Sequence, residues 1–456
     1  MTSARLQTID LPDFGMPSRM PDLPPSIYQA RLERLRRQAR AHGFEVLIVY
    51  ADREHSANLS YLTGFDPRFE EALLVIGNDP EPALLVGNEC WGLAGAAPLP
   101  VRPVLFQDFS LPSQPRDRSL LLSTILADEG IGPQKRVGMV GWKPMADRAH
   151  SDVPSYIVDT VRGLIGGDIE NVTGLLVDPA TGLRVRNELE QLVAFEYAAC
   201  HTSNGVRQLL FGLRPGVTEH EAVRLLGWNG TPLSCHLMLT AGPRARFGLL
   251  SPSDRPIEQG DPFTVAFGVW GALNCRAGFV VREEKELPKQ IADYVDRLVA
   301  PYFETVVEWY GALHVGQSGG VLQEVVDRGL GDPFFGILLN PGHQLHLDEW
   351  VNSPVWPGSQ IELASGMALQ CDIIPATGTP YFTTNIEDGL VLADGDLRAE
   401  WAERAPNSFG RIEARRRFMS DCLGIELHPD VLPLSNIPAY LPPFFLSPNR
   451  VMTVVS

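Results

Sequence analysis

The stretch that decides the reading comes in three pieces: N-P-G-H-Q-L-H-L-D-E-W (340–350), S-G-M-A-L-Q-C-D-I-I-P (365–375) and N-I-E-D-G-L-V-L (385–392). His343 follows a Pro-Gly turn signal. Asp372 lies inside an apolar, strand-like run, and a carboxylate buried in such a run needs partners. Glu387 lies fifteen residues further on in another strand-like run, with Asp388 beside it. One imidazole and two carboxylates delivered by neighbouring segments make His343, Asp372 and Glu387 the candidate catalytic residues.

Working outward, 456 residues are too many for one ordinary core and fit two or three domains. A hydrophobic fraction of 44% and a charged fraction of 20% are those of a soluble globular protein. A net charge of −17 argues against a nucleic-acid partner, which would want a basic face. No apolar run approaches the ~20 residues of a membrane helix, and the opening M-T-S-A-R-L-Q-T-I-D-L-P-D-F has no secretory pattern. Six scattered cysteines without C-x-x-C spacing read as reduced thiols, so the cytoplasm is the expected compartment.

Residues 1–27 are Pro-rich and read as an extended arm. A helix over 27–42 stops at Gly43, and F-E-V-L-I-V-Y, A-L-L-V-I, A-L-L-V-G and R-V-G-M-V-G read as strands of an α/β domain over 28–178. Turn residues near 177–182 mark a boundary. A long amphipathic helix over 187–210 opens a second domain, 179–427, followed by a helix from Glu219, strands around Leu237, Phe263 and Phe279, and a helix from Pro288 to about Tyr310. The last third reads as strand-rich, giving an α+β class, and 428–456 as a Pro-rich tail that wraps a surface.

Four motifs in order carry a family resemblance. S-A-N-L-S-Y-L-T-G-F (56–65) is similar to the N-x-x-Y-L-T-G-F segment of prolidase-like N-terminal domains. L-R-V-R-N-E-L-E (183–190) resembles the opening of the catalytic domain, with Arg186 and Asn187 in place of Lys and Ser. S-P-S-D-R-P-I-E-Q-G-D (251–261) resembles the lead-in to the first metal strand, and the opening stretch supplies the fourth. The chain thus resembles the M24 or pita-bread family of aminopeptidase P, prolidase, methionine aminopeptidase and the metal-free creatinase. The resemblance implies a pita-bread catalytic domain behind a smaller creatinase/prolidase-type N-terminal domain, a homodimer and a small-molecule substrate.

The family's metal site has two Asp, one His and two Glu. Its His and Glu positions fall on His343, Asp372 and Glu387, but its Asp positions fall on Ala266 and Ala277. Creatinase's catalytic histidine falls on Leu249, and the histidine after the metal ligand falls on Trp350, near His346. Two adjacent cations are held by shared carboxylates, and alanine offers no oxygen. The resemblance therefore implies a site with no metal, or with a single divalent ion on His343, Asp372 and Glu387. Without a metal, Asp372 and Glu387 form an acid–base pair through mutual repulsion.

Arg246 and Arg276 are expected beside a substrate carboxylate, Trp270 and Trp350 beside a cationic or apolar group, His346 among the substrate-binding residues, and Arg68 at a partner subunit's pocket. Asp348 and Glu349 read as solvated turn charges, and Cys275 as a buried thiol rather than a nucleophile. The leading expectation is a creatinase-like hydrolase or lyase acting on a C–N or related bond of a small carboxylate-bearing substrate. The alternatives are a one-metal Xaa-Pro aminopeptidase or prolidase, and an inactive fold that binds a ligand.

Overall fold

The computed structural model describes residues 3–455. It divides into two compact units: Leu23–Val185, and the residues up to Asp22 together with those from Arg186 onward. β1 (Ser3–Thr8) belongs to the larger unit.

The smaller unit is α/β. Its elements are α1 (Pro25–Ala41), β2 (Val46–Ala51), α2 (Ala57–Thr63), β3 (Ala72–Ile76), β4 (Ala83–Val86), β5 (Arg102–Leu105), α3 (Leu122–Asp128), β6 (Val137–Val140), α4 (Ser155–Ile165), β7 (Glu170–Asn171) and α5 (Gly174–Val177). The strands form one mixed sheet in the order β5-β4-β3-β2-β6-β7. Every residue of β2, β3, β4 and β6 is buried, as expected for strands covered on both faces. α4 turns Ile157, Val158, Val161 and Ile165 onto that sheet at helical spacing.

The larger unit is an antiparallel sheet with helices. It comprises α6 (Leu189–Gly212), α7 (Glu219–Val223), β8 (Met238–Ala241), β9 (Pro262–Val269), β10 (Ala272–Phe279), α8 (Ala300–Ala312), α9 (Gly319–Leu330), β11 (His343–Gln344), β12 (Ala368–Asp372), β13 (Asn385–Leu392), α10 (Gly395–Arg404), α11 (Pro406–Asp421), β14 (Val431–Pro433) and β15 (Arg450–Val455). The strand order is β11-β12-β13-β10-β9-β8, with β14 also paired to β13. α6 lies against β9 and β10. The hairpin between them turns at Trp270–Gly271, where Gly271 has φ +94° and a Cβ would stand 2.6 Å from the Phe195 ring of α6.

Several expectations need correction. The last third is not mainly strand, because it carries α9, α10 and α11. α11 hides in the sequence because its buried face includes Ser408 and Arg415 beside Ile412 and Met419. Arg415 is buried there by an ion pair with Glu196 at 2.8 Å. The helix expected from Pro288 begins instead as 3-10 and π turns, and α8 starts only at Ala300. Pro301 has no N–H to give to a regular ladder.

The expected arm and tail are drawn into the larger unit. β1 pairs with β15 over six residues, and Phe14 packs on Phe418 with centroids 5.7 Å apart. Leu434, Ile437, Tyr440, Leu441 and Phe444 of the tail are wholly buried rather than laid over a surface.

Arg276 ties this tail down. It is fully buried and pairs with Asp388 at 2.7 Å. It also donates to the carbonyls of Tyr440 and Ile437. Asp388 accepts from Asn274 at 2.6 Å and from the Ala439 N–H at 2.9 Å. The substrate role expected for Arg276 is thereby overturned, since its donors are spent on the fold. Replacing Arg276 with Met leaves Asp388 buried and unpaired, and the unfolding free energy should fall by roughly 3–5 kcal/mol. Urea denaturation measures it, and an unchanged midpoint contradicts the assignment.

Candidate active site

Strand register builds the cluster. Asp372 on β12 faces Glu387 on β13, Glu387 faces Cys275 on β10, and Cys275 faces Ala266 on β9. Directly paired residues share a face, so these four form one row across the sheet. His343 on β11 pairs with Gln370, two residues before Asp372, and so joins the same face. Gly342, at φ +133°, lets the chain enter β11 beside Trp309, where a Cβ would stand 2.9 Å from the ring.

His343 Nε2 lies 3.6 Å from Asp372 Oδ2, 3.5 Å from Glu387 Oε1 and 3.5 Å from Glu349 Oε1. The three residues singled out in the sequence therefore come together, and Glu349 joins them. Trp350 stacks on the His343 ring at 4.2 Å and 18°, fixing its plane. His343, Asp372 and Glu387 are buried, whereas the Glu349 side chain keeps 26% of its surface exposed and marks the open side.

The protonation logic is unusual. His343 Nδ1 lies 3.2 Å from the Gln344 carbonyl, which can only accept, so Nδ1 carries the proton. In a neutral ring the Nε2 lone pair then faces three carboxylates. Desolvation, then the neighbouring Glu387 charge, raises the Asp372 carboxyl well above its usual range. Desolvation is also the largest influence raising Glu387, while its hydrogen bond from Cys275 opposes the rise. Burial pushes Glu349 up to about 7, with His343 pulling it down.

The four groups crowd without bonding. His343 Nε2, Glu387 Oε1 and Asp372 Oδ1 are buried and have no hydrogen-bond partner among the described residues. The ~3.5 Å gaps are what two ligands at ~2.1 Å from a shared tetrahedral ion would leave between themselves. Ligand atoms of His343, Glu349 and Glu387 all lie within 4.8 Å of one another. These residues fit one divalent cation. Beyond Glu387 the row continues into a thiol and a methyl, which supply none of the shared carboxylates that a bridged pair of cations takes. Ala277 is buried two residues further along β10 and offers no oxygen either.

The remaining expected residues divide. His346 is buried with its ring edge-on to Phe195 at 5.1 Å. Trp270 sits half-buried in the β9–β10 turn. Arg246 is exposed, with its guanidinium 4.6 Å over Phe247. Arg68, at φ +59°, belongs to the smaller unit and pairs with Asp66 at 3.3 Å. Leu249, at the creatinase histidine position, is 69% exposed.

The comparisons agree with this architecture. Residues 31–142 match the creatinase/prolidase N-terminal domain family. The chain carries a creatinase/prolidase-type N-terminal domain and shares its fold with solved prolidases and Xaa-Pro dipeptidases. It is similar in structure to an Xaa-Pro dipeptidase from Bacillus anthracis, with TM-score 0.59 and 16% identity over 81% of this chain and 96% of that one. A dipeptidase from Mycobacterium ulcerans gives TM-score 0.60 and 15% identity over 94% and 99%. A prolidase from Pyrococcus furiosus gives 0.57 and 16% over 78% and 96%. At these identities the prolidase-like likeness establishes the fold and nothing about substrate. No protein of curated function matches the sequence. No helix among the described residues of this prolidase-like chain is long and apolar enough to cross a membrane.

Two members of the cluster were missed in the sequence. Glu349 reads in the sequence as a solvated turn charge, yet it lies beside Trp350, on which the resemblance sets the second histidine. A one-residue slip in that alignment was the available signal. Cys275 was placed correctly as buried, but strand alternation from Ala277 already put it on the same face.

A raised carboxyl pKa gives a signed stability effect. Between its ordinary value of 4.5 and about 7, Glu349 binds more proton folded than unfolded. Its contribution in ion-free protein therefore falls as pH rises through that window and is fully unfavourable above it. Chelator-treated Glu349→Gln should match wild type at pH 4.5 and exceed it at pH 8 by on the order of 1–3 kcal/mol. Thermal melts at the two pH values measure this, and an equal difference at both contradicts it.

Proposed function

We propose that the chain is a hydrolase of small amide or dipeptide-like substrates that works with one divalent ion held by His343, Glu349 and Glu387. The supporting observation is the pair of 3.5 Å separations from an unbonded His343 Nε2 to Glu349 Oε1 and Glu387 Oε1, which a tetrahedral cation would span. The likeness to proteins titled Xaa-Pro dipeptidase and X-Pro aminopeptidase supports the C–N bond class. A bound divalent ion would supply Lewis-acid polarisation of a carbonyl and activation of water.

The chain's own groups do the rest. Asp372 Oδ1 is a buried oxygen without a hydrogen-bond partner among the described residues, and its carboxyl is held well above the usual range, so it can accept and return a proton. The Gln344 carbonyl accepts from His343 Nδ1–H and so turns Nε2 toward the cluster as the ligand atom. Trp350 walls the ring and excludes water from it. Glu349, on the open side, is where substrate meets the cluster.

A second reading keeps the creatinase-like, metal-free chemistry expected from the sequence. It is favoured by the raised carboxyls of Asp372, Glu387 and Glu349, which can share protons without any ion. A homodimer belongs to either reading, and sedimentation velocity tests it.

An Xaa-Pro and N-acyl amino acid panel with graded divalent ion tests the proposal. Turnover should saturate at one equivalent. Asp372→Asn should keep its ion yet lose about 10²–10⁴-fold in kcat. Full turnover in chelator-treated protein favours the metal-free reading. Unaltered kcat in Asp372→Asn removes Asp372 from the proton step.

A further inference from the structure

The row that carries the site does not stop at Glu387. Glu387 faces Cys275 on β10, Cys275 faces Ala266 on β9, and Ala266 faces Met238 on β8. Asp372, Glu387, Cys275, Ala266 and Met238 therefore share one face across five adjacent strands. The row changes character at Glu387, with carboxylates on one side and sulfur and methyl groups on the other. Leu273, two residues from Cys275 along β10, adds to the apolar half. Cys235 and Met238 pack against the patch of Ala266, Leu273 and Cys275.

This half is not sealed. Ala266 and Cys275 keep 7% and 5% of their surface exposed, whereas Ala277, further along the same face, keeps none. Cys235 and Met238 are half-buried. The segment leading into β8 forms one wall. Its Ser234 Oγ donates to the Ala272 carbonyl at 3.2 Å, and a Cβ at Gly268 would collide with that oxygen. The next residue, Cys235, is thereby held against the row. Burial, then the charges of Glu349 and Glu387, pushes its thiol up to about 12, which sets it beside the open side that Glu349 marks. Burial and the Glu387 charge likewise push the Cys275 thiol well above its usual range. Both sulfurs are therefore neutral, polarisable surface rather than nucleophiles.

We propose that the apolar half of the row is a substrate subsite, so that the site selects small amides with an uncharged, apolar side chain of the leucine or methionine class within one residue of the scissile bond. This rests on the single-ion reading and adds to it the substrate class. Adjacent strands place Cys275 about 5 Å and Ala266 about 10 Å from Glu387 along the row. A side chain on a residue whose carbonyl is held at His343, Glu349 and Glu387 reaches that far. Met238, Ala266, Leu273, Cys275 and Cys235 offer it apolar and sulfur contacts and no cation. A carboxylate side chain placed there would be desolvated beside Glu387 without a partner. The positions that the family resemblance assigns to aspartates thus serve recognition here: the Ala266 methyl leaves room where a longer side chain would fill it.

Calorimetric binding of amino acid hydroxamates, which chelate a bound cation, to zinc-loaded protein tests this without relying on turnover. Leucine hydroxamate should bind wild type on the order of 10–100-fold more tightly than glycine hydroxamate. The α-hydroxamate of glutamic acid, similar in length but charged, should bind no more tightly than the glycine probe. Ala266→Val fills the subsite and Met238→Thr removes apolar surface from it, so each should cut the leucine preference several-fold. Each variant is first required to bind one equivalent of zinc, which reports a folded site. Equal affinity of wild type for the leucine and glycine probes, or a leucine preference that survives both substitutions, overturns the subsite and leaves the single-ion reading standing. No zinc bound by folded wild type overturns the single-ion reading and the subsite with it.

Discussion

Two neighbouring acids on β13 point opposite ways, and the site depends on that alternation. Asp388 goes to the far face and is neutralised by Arg276, Asn274 and the Ala439 N–H. Glu387 goes to the near face and has no such cation. The Arg276–Asp388 pair joins β10, β13 and the C-terminal segment, so it fixes the register that sets Glu387 between Asp372 and Cys275. A one-residue slip would exchange the two acids and put the neutralised one in the site. One face of the sheet is electrostatically closed, and the other is left wanting positive charge.

That want defines the chemistry. Three carboxyls and one imidazole meet at distances too long for hydrogen bonds and too short for indifference. Protons relieve part of the repulsion, as the raised Glu349 and Asp372 carboxyls reflect. A divalent cation would relieve more of it. The same row continues into Cys275 and Ala266, which bring no further carboxylate. The strands that carry His343, Asp372 and Glu387 retain their polar groups.

Much of this was legible in the chain. Strong local signals gave the smaller unit its strands, because V-L-I-V-Y-A and A-L-L-V-I are continuous apolar runs bounded by turns. The cluster was visible because Asp372 sits in an apolar run where a carboxylate is anomalous, and because four motifs came in order. What was not legible depended on long-range pairing. Arg276 looks like a substrate ligand until the tail, more than 160 residues later in the chain, supplies its partners. α11 carries an arginine on its buried face, which masks the apolar period. Glu349 reads as solvent-facing because two acids in a row with a turn before them usually are. Only the fold of the 344–352 loop, where the Gln344 N–H meets the Asn352 carbonyl at 2.8 Å, brings it back to His343.

The account stands on one cation among these groups. Anomalous diffraction at a zinc or cobalt edge, from crystals soaked in that ion, addresses it most directly. The account predicts a single peak per chain, bounded by His343 Nε2, Glu349 and Glu387. Two peaks flanking Glu387, or no peak at saturating ion, would contradict it.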